Sequence, residues 1–500
     1  MKASLQKALA RNGKAPKQNG SSKRLKVSKP KGSIKKVKAP KKNGAGKKNK
    51  KQNGVSKRRD ISEEENDDLG GKKKPSKVQL KMVIEDLKKE ADLLTVRKAL
   101  KFVPYYLKSE GLTKKLLKEI IKLWAESSEK IRVICLLCLI RIYTKLNDKE
   151  RRQMIIKDLY TTFLSKCGIA KFETMSMISF MRHSLTELYK IDPHIAFKQA
   201  QTACQQLSTT LHNATTHKNE ESYKSVLNWR FANCLILLSQ LITSQGDESP
   251  VKKLTQQVIE LNIGAINLLT SPRYYPYYCH LIENLIHLSI SAKVFIPILP
   301  IMLSILKRLS FPIEKKIKPK EIPKKAVKSR KASDDDDSDE EKDSNESDEE
   351  DDYEDEYEDE VEDEPKEKPK KEYNIELLNH VSLDEAHTPE YQEAVLNKLY
   401  ELMLLYLASQ CHKIAFLELV YLPCVHIKKW LRSNPGKPTQ KFKVLLEKVK
   451  LDCEKSDAER KSIDFAFTNY SAVDAWEKKM LDSNKLSLPK LYQSNKQVDE

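Results

Sequence analysis

The sequence predicts an all-α protein: a HEAT/armadillo-like α-solenoid with a disordered basic N-terminal tail and an inserted disordered acidic loop. Three observations predict it. Apolar residues recur at three- and four-residue spacing through residues 78–311 and again through 373–482, the period of one helix face. Of the 13 glycines in 500 residues, eight lie at or before Gly71, leaving Gly111, Gly168, Gly246, Gly264 and Gly436 for the rest. Strand turns and phosphate-cradling loops draw on the positive φ that glycine tolerates, whereas helices do not. Charge is also segregated. The net charge is +20; residues 1–77 hold 26 Lys or Arg against 6 acids, and residues 334–364 hold 23 acids against one Lys. The remainder carries 64 basic and 42 acidic residues, so the helical body is itself basic.

The first 59 residues contain 22 Lys or Arg and no acid, spaced by Gly, Asn, Pro and Ser. Such a stretch has nothing to bury and reads as a disordered tail over 1–77. Its clusters Lys57-Arg58-Arg59 and Lys72-Lys73-Lys74 match nuclear import signals. Met1 to Lys51 shows no apolar run of the kind a secretory signal needs. The apolar runs Val133–Ile140 and Val294–Leu306 fall short of the ~18 residues of a membrane span, so no membrane partner is expected.

Over 78–311 the stripes follow one another. Leu93, Val96, Leu100 and Val103 form the first, and Leu116, Leu117, Ile120, Ile121 and Trp124 the second. A third, Val133, Leu136, Leu137, Ile140 and Ile142, is apolar nearly all round and is expected at the centre of the core. Further helices are expected over 149–166, 172–191, 194–212, 221–244, 251–270, 277–291 and 294–309. Breaks fall at Ser109-Glu110-Gly111, Asn147-Asp148, Asp192-Pro193, Gly246-Asp247 and Ser271-Pro272, residue types that cap or turn. Helices of 15–20 residues with short links over such a length suggest stacked hairpins, with a compact irregular helical domain as the competing fold.

Residues 312–372 interrupt the array, first Lys/Pro-rich and then acidic. Ser333, Ser338 and Ser347 each have an acid three positions on, the pattern of acidophilic kinases. Helices resume over 373–482, with 483–500 expected as a polar tail. Val395, Leu399, Leu402, Leu405 and Tyr406 make one inward stripe there, and Ile414, Leu417, Val420, Tyr421 and Val425 the next. Asn434-Pro435-Gly436 breaks the chain before a basic helix with Phe442, Leu445, Leu446 and Val449 inward. The outward candidates for RNA or partner contact are Lys428, Lys429, Arg432, Lys437, Lys441, Lys443, Lys448 and Lys450.

Enzyme grammar is missing: there is no phosphate loop, nucleophile elbow or dinucleotide fingerprint, and no cofactor is expected. Cys135 and Cys138 form a CxxC inside an apolar helical run and read as core thiols. Cys411-His412 and Cys424/His426 lack the loop spacing of a zinc knuckle and read the same way. The run Tyr274-Tyr275-Pro276-Tyr277-Tyr278 could stack bases but is expected to pack between helices. RNA contact is therefore expected from lysines on phosphates, salt-sensitive and sequence-tolerant.

Three colinear blocks carry a family resemblance. They are FVPYYLKSEGLTKKLLKEIIKLWAESSEKIRVICLLCLIRI at 102–142, NIGAINLLTSPRYYPYYCHLIENLIHLSISAKVFIPILPIMLSIL at 262–306, and YLASQCHKIAFLELVYLPCVHIKKWL at 406–431. In order and character they resemble the nucleolar complex protein 2 family. The resemblance implies a non-enzymatic factor for the large ribosomal subunit, acting in the nucleolus and nucleoplasm of the nucleus. Its implied partners are nucleolar complex protein 1 and nucleolar complex protein 3 homologues, pre-60S particles and pre-rRNA. A chromatin co-regulator that holds histones through the acidic loop is the alternative.

Overall fold

The computed structural model describes residues 74–89, 92–169, 171–311 and 371–499. Lys57, Arg58, Arg59, Lys72, Lys73, Ser333, Ser338 and Ser347 lie outside them, and Lys74 is exposed just ahead of the first helix. Among the described residues the fold is all-α, without a strand.

Seventeen α-helices are described. They are α1 (Lys77–Lys89), α2 (Leu93–Tyr106), α3 (Glu110–Glu126), α4 (Glu129–Lys145), α5 (Lys149–Lys166), α6 (Phe172–Ile191), α7 (Pro193–His217), α8 (Glu220–Val226), α9 (Trp229–Ser244), α10 (Thr255–Asn267), α11 (Tyr275–Ala292), α12 (Leu299–Leu306), α13 (Pro389–Gln410), α14 (Phe416–Ser433), α15 (Gln440–Arg460), α16 (Tyr470–Asp482) and α17 (Ser487–Asp499). Polar residues that favour non-helical dihedrals start several of them. Asp148 accepts from the Glu150 and Arg151 amides ahead of α5, and Asn228 accepts from Phe231 N ahead of α9. Asp192 ends α6 and caps α7, with Pro193 in the first turn where its missing donor costs nothing.

Eleven of the helices form two runs of successive contacts. In one, α2 packs on α4, α4 on α6, α6 on α9, α9 on α11 and α11 on α13; in the other, α1 packs on α3, α3 on α5, α5 on α7 and α7 on α10. Polar ties inside the core fix the register. Asn284 of α11 donates to Ser239 Oγ of α9 and Asn262 Oδ1 of α10, each at 3.0 Å. Arg182 of α6 donates to Asn233 Oδ1 at 2.7 Å, and Asn233 in turn donates to Cys167 O. A buried network of this kind holds one packing because any other arrangement leaves its members unsatisfied.

The described residues before 312 and after 370 share one core. Trp430 Nε1 donates to Leu309 O at 3.0 Å and Phe311 N to Asn434 Oδ1 at 2.6 Å. Tyr406 OH donates to Ile296 O, Tyr391 OH to Pro272 O, and Arg273 and Val381 exchange two bonds of 3.1 Å.

Several expected elements differ. The helix expected over 221–244 is two, because Leu227 leaves helical dihedrals and Asn228 caps afresh. The stretch Glu220–Ser244 is also long and apolar enough by composition to cross a membrane, but 67% of its most apolar window is buried inside the fold. The helix expected from 294 starts at Leu299, after an irregular Val294–Ile298 that closes a tight turn from Ile298 N to Ile296 O. On α4 the buried residues are Ile134, Cys135, Cys138, Leu139, Ile142 and Tyr143; Val133 and Leu137 face outward, so α4 is one-sided. The polar stretch 483–500, expected to trail, holds α17 docked against α13 and α15. Buried Asp452 of α15 anchors it, accepting from Ser487 N at 2.6 Å and Leu488 N at 2.8 Å, while Lys455 Nζ bridges to Asp452 and Ser487. Sequence periodicity alone cannot show that a distant carboxylate supplies a helix with its cap.

Candidate nucleic-acid and partner interface

The outer face of α14 concentrates the features a contact surface needs. Phe416, Val420, Ile427, Trp430 and Leu431 turn inward, with Trp430 held by Leu309 O and edge-on to Phe311 and Phe442. Opposite them, at helical spacing, lie Glu418, Tyr421, Leu422, Val425, Lys428, Lys429 and Arg432, all exposed. Tyr421 and Val425 were expected inside; Tyr421 is 69% exposed, Leu422 63% and Val425 49%. The reason is geometric: α12 and α15 cover only one side of α14, which leaves the second apolar stripe bare. The signal was present in the sequence, since α14 carries more apolar residues than one buried face can use.

Cations adjoin this apolar trio. Lys428, Lys429 and Arg432 form no ion pair among the described residues. At the near end Arg460 of α15 grips Glu418 through its Nη1, at 2.9 and 3.1 Å, and lies over the Phe467 ring. Phe467 is exposed too, so aromatic, aliphatic and basic groups adjoin on one face. Of these, the aromatic rings and the arginine are the types enriched where interfaces bind.

The other sequence candidates divide. Lys437 and Lys443 are exposed, Lys448 is half-buried, and Lys450 pairs with Glu454 at 3.7 Å. Lys441 points the other way. It donates to Asn397 Oδ1, sits 5.0 Å from the centroid of Tyr400, and burial lowers its pKa. It is half-buried and ties α15 to α13.

Chemistry is sparse elsewhere. Cys135 and Cys138 are fully buried, and desolvation pushes each thiol up to about 12, far from reactive. Cys411 is likewise buried with its thiol raised to about 12, and no cluster of three or more metal-type side chains occurs among the described residues. Tyr275, Tyr277 and Tyr278 are buried, and Tyr277 OH donates to Val226 O at 2.8 Å; these rings pack helices and cannot stack bases.

The Noc2p family matches residues 150–495 of the chain. That range holds the second and third sequence blocks and leaves the first, 102–142, ahead of it. Nucleolar complex protein 2 of Drosophila melanogaster is 24% identical over 376 residues, covering 74% of this chain and 42% of the relative. Nucleolar complex-associated protein 2 of Arabidopsis thaliana is 20% identical over 358 residues, 71% of this chain and 40% of the relative. Protein REBELOTE of the same plant is 29% identical over 196 residues, 39% of this chain and 33% of the relative. The chain thus spans less than half the length of these relatives.

Proposed function

This chain belongs to the Noc2p family, and from that premise we propose that it is a non-enzymatic nucleolar scaffold for assembly of the large ribosomal subunit. Relatives named as nucleolar complex proteins support the nucleolar reading. The next-but-one contacts that run unbroken from α1 to α7 support a HEAT/armadillo-like array. Nucleolar complex protein 1 and nucleolar complex protein 3 homologues, pre-60S particles and pre-rRNA are its proposed partners, met in nucleolus and nucleoplasm.

One observation carries the contact side of this reading: unpaired Lys428, Lys429 and Arg432 adjoin exposed Tyr421, Leu422 and Val425 within the family-matched residues. Cations on phosphates give salt-dependent, sequence-tolerant binding, and the apolar trio gives a partner something to bury. Binding of a pre-rRNA fragment is to be measured across a salt series with the full chain and with K428E/K429E/R432E. Loss of three phosphate contacts should flatten the log–log slope by about 2 to 3; an unchanged slope removes this face from the RNA reading. Depletion with pulse-labelled rRNA tests the assembly role, and normal large-subunit maturation would overturn it. The 23 acids of residues 334–364 favour a second reading, a histone-binding co-regulator. Deleting them should then abolish histone pull-down.

A further inference from the structure

Between α3 and α5 the surface opens into a groove of about 860 Å³. Its floor is apolar: Leu117 and Ile121 from α3, Ile155 and the exposed Met154 from α5. Along the α3 wall Lys114, Lys118 and Lys122 repeat every four residues, so the row runs about 12 Å at a 1.5 Å rise per residue. The α5 wall adds Arg151, Lys157 and Lys166.

Pairing inside the groove is incomplete in one direction. Glu110 is held at 3.0 Å by both Lys114 and Arg151, and Glu126 at 2.9 Å by Lys166. Lys118, Lys122 and Lys157 have no ion pair among the described residues, against Asp158 as the one carboxylate of the lining left without one. A positive excess therefore stands over an apolar floor, and such a floor is costly to leave wet. No aromatic side chain lines the groove, so it lacks the stacking platform with which single-stranded nucleic acid is held. Phosphates would use the lysines and waste the floor. An amphipathic helix with acids beside its apolar stripe uses both.

We propose that the α3–α5 groove docks an amphipathic helix of a partner protein, with apolar side chains on Leu117, Ile121 and Met154 and Asp or Glu against Lys118, Lys122 and Lys157. The proposal rests on the scaffold reading and deepens it by naming a surface and the chemistry of its occupant. One wall of the groove, α3, precedes the family-matched residues, whereas α5 lies almost wholly within them. The site therefore straddles the edge of the family-matched residues.

A photo-reactive residue placed at Met154 of the full chain, cross-linked in cells, tests the proposal by sequencing of the adduct. The expected adduct is a segment of another protein with apolar residues at three- and four-residue spacing and acids alongside. Its yield should fall at least about tenfold in K118E/K122E/K157E, the loss of roughly one strong charge contact, and return when the mapped acids are changed to lysine. A reporter at Tyr421 in the same variant should keep its own adduct, which shows that the fold is intact. An RNA adduct overturns the proposal, as does an adduct to a second copy or none above background. So does an adduct to this chain's own residues 353–361, where Tyr353, Tyr357 and Val361 stand at four-residue steps among acids. A protein adduct indifferent to charge reversal overturns it as well. Normal rRNA maturation on depletion would instead sink the scaffold reading, so the two failures are distinguishable.

Discussion

The tyrosine run that opens α11 and the face of α14 look alike on paper and end in opposite environments. Tyr275, Tyr277 and Tyr278 are buried because α9, α10 and α13 pack around α11. Tyr421, Leu422 and Val425 are exposed because α12 and α15 reach only one side of α14. Helical periodicity reports that a face is apolar, and the number of neighbouring helices decides whether it is covered. One apolar face therefore stabilises the array, while the other remains available for contact.

Breaking the buried side should cost most. Tyr277→Ala removes a buried ring and its bond to Val226 O, and is expected to lower stability by about 4 kcal/mol in denaturant titration of the full chain. A loss below about 1 kcal/mol would mean the ring is not packed as described. Next comes the anchor of α17. Asp452→Ala leaves the Ser487 and Leu488 amides unpaired in a buried setting, a loss of about 3 kcal/mol. Hydrogen exchange of amides 487–499 should speed up about a hundredfold while α11 stays protected. Equal loosening of both would show that α17 is not a separate unit.

The interior should also respond to acid, and the exposed face should not. His280 packs against Trp229 at a tilt, with ring centroids 4.7 Å apart, and lies 3.0 Å from Leu378 O through Nε2, which identifies that nitrogen as the donor. Burial holds its pKa below the ordinary 6.5, against the upward pull of the Leu378 carbonyl, Glu283 and Glu376; Lys398 pushes it further down. His380 and His412 are lowered too, each mainly by burial. For such groups the unfolded chain takes up the proton more readily, so stability is full above 6.5 and declines as pH falls below it. Melting temperature should drop between pH about 7.5 and about 5.5, above the range where carboxylates titrate, and His280→Gln should blunt the drop. A flat profile would contradict the buried neutral imidazoles.

The smallest stability effect belongs to α14. Tyr421→Ala should change folding stability by less than about 0.5 kcal/mol, yet weaken recovery of pre-60S particles roughly tenfold if the face is a contact site. Unchanged recovery would leave the trio as bare surface only.

Much of the fold could be read from the residues themselves. The caps at Asp148 and Asp192 with Pro193, the break at Asn434, and the stripes of α2, α3, α13 and α15 all follow from local chemistry. The misreadings share a cause. Val133, Tyr421 and Val425 read as inward because they are apolar and periodic, which says nothing of what lies opposite. Lys441 reads as outward because it is charged, although its ammonium lies over the Tyr400 ring. The groove between α3 and α5 needed two helices from separate stretches, so no single window of sequence contains it.

By itself, then, the sequence determined the helical class, the segregation of charge and the family, because glycine scarcity, apolar period and colinear blocks are local properties summed along the chain. Only the tertiary structure decided which apolar stripe is buried and which is presented. It also decided which lysines are free, and that Asp452 caps a helix 35 residues away. Those outcomes depend on the helix that arrives from elsewhere, since burial and pairing are properties of two surfaces and neither is encoded in one.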